Sequence, residues 1–447
     1  MASKFRPLMA TRTYPRNVYT ILQRRWKADP LSEGWPRVDL PERRVFEEFL
    51  DVCYHASFMT EEGRPIVFRV AFISSDAPVS PPRQGPAELE PVMRYLLSQP
   101  VPFTDGELRR LAPVADPRRV LIAVEQVEGN RLQIYGLIDV GMALWEMSRH
   151  ERVMGTSSPE ALVVSSTRPG ELIISRADHP VLRLRSGKIE SPAERVVFRG
   201  PVARFFVNAS EELIEEACER SGVPRPERDD GLEFAHIEFI ESILLYTAEL
   251  HHGGALLFVP ENTSDDDPRL LETVSIKYRL PSTRPRDALL TAMAVRLEHN
   301  ATADRLRERS RIRPEELESL EALDWNQRNY EDSTRDAARF IASLTAVDGA
   351  VVLTDKLRII GFGAEVRVSS GTDTIHVATN AEGTDLSAAP FTGYGTRHRS
   401  SFRFVVRMEP AVAFILSQDG GIKSAMKVDE RVLMWPYFEV GYTTALS

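Results

Sequence analysis

Val347-Asp348-Gly349-Ala350-Val351-Val352-Leu353, then Thr354-Asp355-Lys356, then Leu357-Arg358-Ile359-Ile360-Gly361-Phe362 is the stretch whose reading decides the fold. Apolar, β-branched runs on either side of three polar residues predict two strands joined by a tight turn. An Asp at the mouth of a buried strand carries a desolvation cost unless a cation or hydrogen-bond donors meet it, and Gly349 and Ala350 leave backbone open to a flat ligand. Asp348 is therefore a candidate metal ligand, with Gly349 and Ala350 beside it as the walls of a base or ribose pocket.

Further on stands Gly395-Thr396-Arg397-His398-Arg399-Ser400. The planar fork of Arg gives phosphate two parallel charge-assisted hydrogen bonds, and Gly395 and Thr396 add backbone N–H and hydroxyl donors. The set reads as a triphosphate clamp. Alone, an Asp-Gly step is commonly a turn and an Arg-His-Arg run a solvated basic face. Their occurrence in this order is more specific than either.

Together with Leu416-Ser417-Gln418-Asp419-Gly420-Gly421, these blocks resemble the signatures of the diadenylate cyclase domain, and Gly253-Gly254-Ala255-Leu256-Leu257-Phe258-Val259-Pro260 looks like its first core strand. The resemblance runs from about Gly231 to the C-terminus. It implies an α/β (α+β) fold with a mixed sheet flanked by helices, and condensation of two ATP into cyclic di-AMP at a face-to-face homodimer. It also implies Mg²⁺ or Mn²⁺ as cofactor. Carried over by position, Asp348, Arg397, His398 and Arg399 are the catalytic set. Gly349, Ala350, Gly395, Thr396, Ser400 and Ser417 bind ATP, and Asp348 and Asp419 hold the metal. The third block departs from the family's Ser-Glu-Glu-Thr-Gly, and the shorter arm of Asp419 bears on the metal geometry.

The other 230 or so residues set the context. At 447 residues and 43% apolar, the chain supports two domains, and a net charge of -9 argues against a nucleic-acid polymer as partner. Two cysteines, Cys53 and Cys218, give no disulfide framework, and no apolar run reaches membrane-spanning length. The expectation is a cytoplasmic protein without a membrane partner.

Residues 1–39, rich in Arg and Pro, read as a mobile or surface-draped basic extension. Residues 40–222 read as an α/β or α+β domain with a sensor or regulatory role: a helix over Glu42 to Ser57, a strand over Ile66 to Ile73, and a strand pair Arg119 to Val127 and Arg131 to Val140 about the Glu128-Gly129-Asn130 turn. Arg195 to Val207 reads as a strand region and Ser210 as the cap of a helix to Ser221, with the domain boundary at Pro224 to Asp230 and the cyclase-like domain at 231–447. Gly371 to Pro390 reads as a mobile loop, and the charged stretch Arg305 to Asp332 as an insertion. The order of elements in Arg119 to Ile189 echoes that in Gly349 to Lys427, so the first half could repeat the second, although common hairpins would give the same echo. A non-catalytic nucleotide or cyclic-dinucleotide sensor is the alternative function, and an α/β scaffold with Arg-His-Arg as surface charge is a third.

Overall fold

The computed structural model describes residues 13–28, 38–79, 92–117, 119–140, 159–166, 168–177, 179–185, 187–190, 200–226, 232–250, 252–307, 309, 313–368, 373–417 and 421–436. The chain divides into two compact units, 1–192 (with 441–447) and 193–440. Each is a mixed sheet with helices, an α+β arrangement.

The first unit comprises α1 (Tyr19–Ala28), α2 (Arg43–Ala56), β1 (Phe68–Phe72), β2 (Met93–Pro102), α3 (Asp105–Leu111), β3 (Val120–Val127), β4 (Arg131–Asp139), β5 (Leu162–Ser166), β6 (Glu171–Arg176), β7 (His179–Arg185) and β8 (Lys188–Glu190). Helix α2 buries Val45, Phe46, Phe49, Leu50, Cys53 and Ala56 at helical spacing, and this stripe meets Phe68, Val70, Ile122 and Val124 on one face of the sheet. Residues 1–39 do not all behave as an extension. Val18, Leu22 and Trp26 repeat every four residues and enter this same core, and Trp26 Nε1 donates to Val38 O at 3.0 Å. The Arg-rich composition hid that stripe.

The second unit comprises α4 (Gly200–Ser221), α5 (Leu232–Glu249), β9 (Ala255–Val259), α6 (Pro268–Thr273), β10 (Val274–Ser282), α7 (Arg284–Arg307), α8 (Pro314–Leu344), β11 (Ala350–Thr354), β12 (Ile359–Val366), β13 (Thr374–Ala378), β14 (Leu386–Pro390), α9 (Thr396–Arg407), β15 (Val412–Leu416), β16 (Ile422–Val428) and β17 (Arg431–Trp435). Helices α4, α5, α7 and α8 contribute to the core on one face, with Leu256, Phe258, Val351 and Phe414. Helix α9 covers the other face through Phe402, Phe404 and Val405.

Three local readings are corrected. The segment read as strand, Arg195 to Val207, is helical from Gly200, with 195–199 outside the described residues. Ser210 lies inside α4 rather than capping it: its Oγ donates to Phe206 O at 3.0 Å and sits 2.8 Å from His236 Nδ1. Gly371 to Pro390 is not a loop in its described part but the hairpin β13–β14, held because β13 pairs in parallel with β17. The β-branched run Thr374-Ile375-His376-Val377 is a strand signal that the small polar residues around it hid, whereas Leu386–Pro390 has none of its own. The charged stretch Arg305 to Asp332 is mostly the first half of the continuous α8.

The sheets share the order of their first seven strands, beyond which the second ends in the hairpin β13–β14 and the first in β8. From one edge the first runs β2-β4-β3-β1-β5-β6-β7-β8 and the second β10-β12-β11-β9-β15-β16-β17-β13-β14. In both, the central strand (β1, β9) is parallel to one neighbour (β3, β11) and antiparallel to the other (β5, β15). The irregularities coincide as well. In β3–β4 the pairing shifts between Ala123↔Gly136 and Val124↔Ile134, and in β11–β12 between Val352↔Gly361 and Leu353↔Ile359. Gly136 and Gly361 are each closed upon by a tyrosine carbonyl of the edge strand, Tyr95 O and Tyr278 O, which leaves no room for a Cβ. Common hairpins do not account for matched bulges and matched glycines. The seven-strand core of the first sheet repeats that of the second.

Candidate nucleotide site

Across one end of the second sheet runs a row of paired residues, Ala364–Ala350–Ala255–Ile415–Lys423. Asp348 and Gly349 precede this row on the way into β11, and Ser417 follows it on the way out of β15. Helix α9 starts at the same end, where His398 Nε2 lies 3.1 Å from Lys423 Nζ. Neighbouring strands lie about 4.8 Å apart, so three steps, or about 14 Å, separate Ala350 from Lys423. The sequence-identified blocks therefore share a rim, and no hydrogen bond joins Asp348 to α9.

The opposite end of the parallel pair β9–β11, its carboxyl end, is where open α/β sheets commonly place ligands. Here it is closed by its own charges. Thr354 Oγ1 donates to Glu261, Arg358 pairs with Glu261 at 3.3 Å and Asp265 at 2.5 Å, and Lys356 pairs with Glu212 at 2.5 Å and Glu216 at 3.0 Å. Burial there pushes the Asp355 carboxyl up to about 6 and, beside it, the His236 imidazole down to about 4.

At the open rim each residue has a definite place. Asp348 is exposed and has neither hydrogen-bond nor ion-pair partner, so the desolvation cost expected of it does not arise. Gly349 has φ +116°, and a Cβ there would come within 2.6 Å of Gly363 C and 2.7 Å of Ala364 N. Ala350 is core. The small size of this pair first serves the packing of β12 against β11.

Helix α9 opens after Gly395, whose missing side chain faces open space, and has no side-chain cap. Its first amides and its positive dipole end are thus open to an anion. Thr396 and Arg397 are exposed, and Arg399 and Ser400 are half-buried. Among the described residues neither arginine forms an ion pair, and Arg399 Nε is buried without a hydrogen-bond acceptor. His398 packs against Tyr394 and Phe402, with ring centroids at 5.8 and 6.3 Å. Burial first, then the Lys423 and Arg397 charges, lower its pKa to about 4, so it is neutral at pH 7.

Ser417 is half-buried, its amide bound to Gly421 O at 2.9 Å. Asp419, the second expected metal ligand, lies outside the described residues. Among the described residues no group of three or more His, Cys, Asp or Glu could hold a metal ion. A single exposed carboxylate suits an ion that keeps waters and shares substrate phosphates, as Mg²⁺ does, rather than a closed protein cage. Lys423 was missed in the sequence. Its signal is a lysine beside Ile415 on a sheet face otherwise lined by Ala413, Ala425 and Met434.

The first sheet differs at this rim. Ala123 and Val352 hold equivalent places beside the matched bulges, and counting back along each strand puts Arg119 where the second sheet has Asp348. Arg119 Nε lies 2.8 Å from both Asp139 carboxylate oxygens, and its Nη2 lies 2.5 Å from Oδ2.

Residues 35–139 match the family model of the probable sensor domain DACNV, which lies within the first unit. This supports an N-terminal sensor domain. No curated protein and no solved structure matches the chain. No helix among the described residues is long and apolar enough to cross a membrane.

Proposed function

We propose that the second unit is a diadenylate cyclase, joining two ATP into cyclic di-AMP and two pyrophosphates under control of the N-terminal sensor domain. The observation that carries this reading is the start of α9, where uncapped amides and the exposed Arg397 stand at the same end of the sheet as Lys423, and where the buried Nε of Arg399 has no acceptor. Such a set of donors suits a phosphate-bearing anion. The motif resemblance supplies the adenine and the reaction.

Arg397, Arg399 and the α9 amides hold the phosphates, with Thr396, Ser400 and Ser417 as hydroxyl donors. Asp348 holds the divalent ion that accompanies the triphosphate, which supplies charge neutralisation when bound. The 3′-hydroxyl oxygen of each nucleotide attacks the α-phosphorus of the other, pyrophosphate leaves, and the hydroxyl proton passes to solvent. Positioning dominates such a transfer, so a dedicated base is not required. Two equivalent bonds form, which matches two copies of the site facing each other across a two-fold axis.

Incubation with ATP and Mn²⁺ or Mg²⁺, with products identified by mass, tests the reading: cyclic di-AMP from the wild type and none from Asp348→Asn is the expected result. Specific activity should also rise with protein concentration. No product with either metal overturns the cyclase. A non-catalytic sensor of nucleotides or cyclic dinucleotides is the second reading, favoured by the departure of Ser417-Gln418-Asp419-Gly420-Gly421 from the family pattern.

A further inference from the structure

Lys423 interrupts an otherwise apolar row. It pairs with Ile415 on β15 and shares its sheet face with Ala413, Ala425 and Met434, beneath Phe402 and Val405 of α9. Burying a lysine stem there is favourable only if its ammonium finds a polar partner at the rim. His398 Nε2, at 3.1 Å, is such a partner. An ammonium has three donors and no acceptor, so the imidazole nitrogen facing it must accept. The ring proton is thereby left on Nδ1.

We propose that Lys423 is a positioning residue of the candidate site: it holds His398 in the neutral Nδ1–H form, so that Nδ1–H is the donor presented to the phosphates, and it adds a cation to the anion-binding rim. Tyr394 and Phe402 pack against the ring, and Lys423 fixes which nitrogen carries the proton. The same contact sets the local charge. With His398 neutral, the ring adds a hydrogen-bond donor to the rim and no charge of its own. The identity of the ligand rests on the nucleotide reading above; the tautomer does not.

The test uses the full chain labelled with ¹⁵N-histidine. Long-range ¹H–¹⁵N correlation spectra, with His398 assigned by loss of its signals in His398→Gln, report which nitrogen is protonated. The expected result is the Nδ1–H form in wild type and in Lys423→Arg, and a shift to the Nε2–H form in Lys423→Met, whose side chain suits the apolar row. ATP binding, read by titration with a non-hydrolysable analogue, should weaken about tenfold in Lys423→Met and recover in Lys423→Arg, the effect of one charge-assisted contact. An unchanged tautomer in a folded Lys423→Met protein overturns the proposal whether or not cyclic di-AMP is made. Absence of cyclic di-AMP with the tautomer shift intact overturns the cyclase reading and leaves the positioning role standing.

Discussion

Gly349→Ala is the substitution that most directly separates packing from ligand binding at the rim. Two costs add. A φ of +116° is a conformation that side chains avoid, which costs about 1–3 kcal/mol, and a methyl group 2.6 Å from Gly363 C forces the bulged β12 backbone away, which costs about 1–3 kcal/mol more. The sum, about 2–6 kcal/mol, falls on the second unit alone. Hydrogen exchange read by mass spectrometry gives the two units separately. Each 1.4 kcal/mol is a factor of ten, so peptides covering Ala350–Thr354 and Ile359–Val366 should exchange at least about thirtyfold faster, while those covering Val120–Val127 should not change. A change below about fivefold in the second-unit peptides would refute the packing argument. Gly349 would then be a residue kept open for a ligand alone.

Other expected outcomes can be measured directly. Asp355→Asn bears on pH. The folded carboxyl titrates near 6, above its ordinary value of 3.8, so its contribution is present in acid and lost as pH rises through 6. The variant should stabilise the second unit by about 2 kcal/mol at pH 7.5 and by nearly nothing at pH 4, in denaturant titrations at the two values. His236 works in the opposite sense. Its pKa near 4 lies below 6.5, so its contribution is present above pH 6.5 and fades as pH falls through 4, and Asp355→Asn should expose that acid loss. Arg119→Met leaves the Asp139 carboxylate, nearly buried, without its bidentate partner. Because the arginine is about half exposed, a loss of about 1–2 kcal/mol in the first unit is expected, with exchange in the second unchanged. Finally, a chain beginning at Ala193 should give a cooperative melt. One beginning at Ser221 should not, because it lacks Phe206, Leu213, Ile214 and Ala217 of the second core.

Much of the local structure was legible in the amino-acid order. Val351, Val352 and Leu353 before a polar turn and Ile359 and Ile360 after it specify two strands, because β-branched runs fit a pleated, buried surface and the tight connection allows only adjacent pairing. Helices α2 and α5 follow from apolar residues at helical spacing and broad apolar content. The candidate residues Asp348, Arg397, His398 and Arg399 also stand in the sequence, because metal and phosphate chemistry restricts which side chains can serve.

Tertiary structure decided what pairs with what. Nothing local in Leu386–Pro390 makes a strand; pairing with β13, which itself lies beside β17, does, by satisfying backbone groups that would otherwise bond to water. Ser210 looks like a helix cap until α5 brings His236 to its hydroxyl from 26 residues away. The meeting of Lys423 with His398, the exposure of Asp348 and the closing of the carboxyl end of β9–β11 by Glu212, Glu216, Glu261 and Lys356 are likewise set by how helices and turns pack on the sheet. Side-chain identity fixes the chemistry a residue can perform, whereas the neighbour that charges, orients or buries it comes from pairings distant in sequence, which no local pattern encodes.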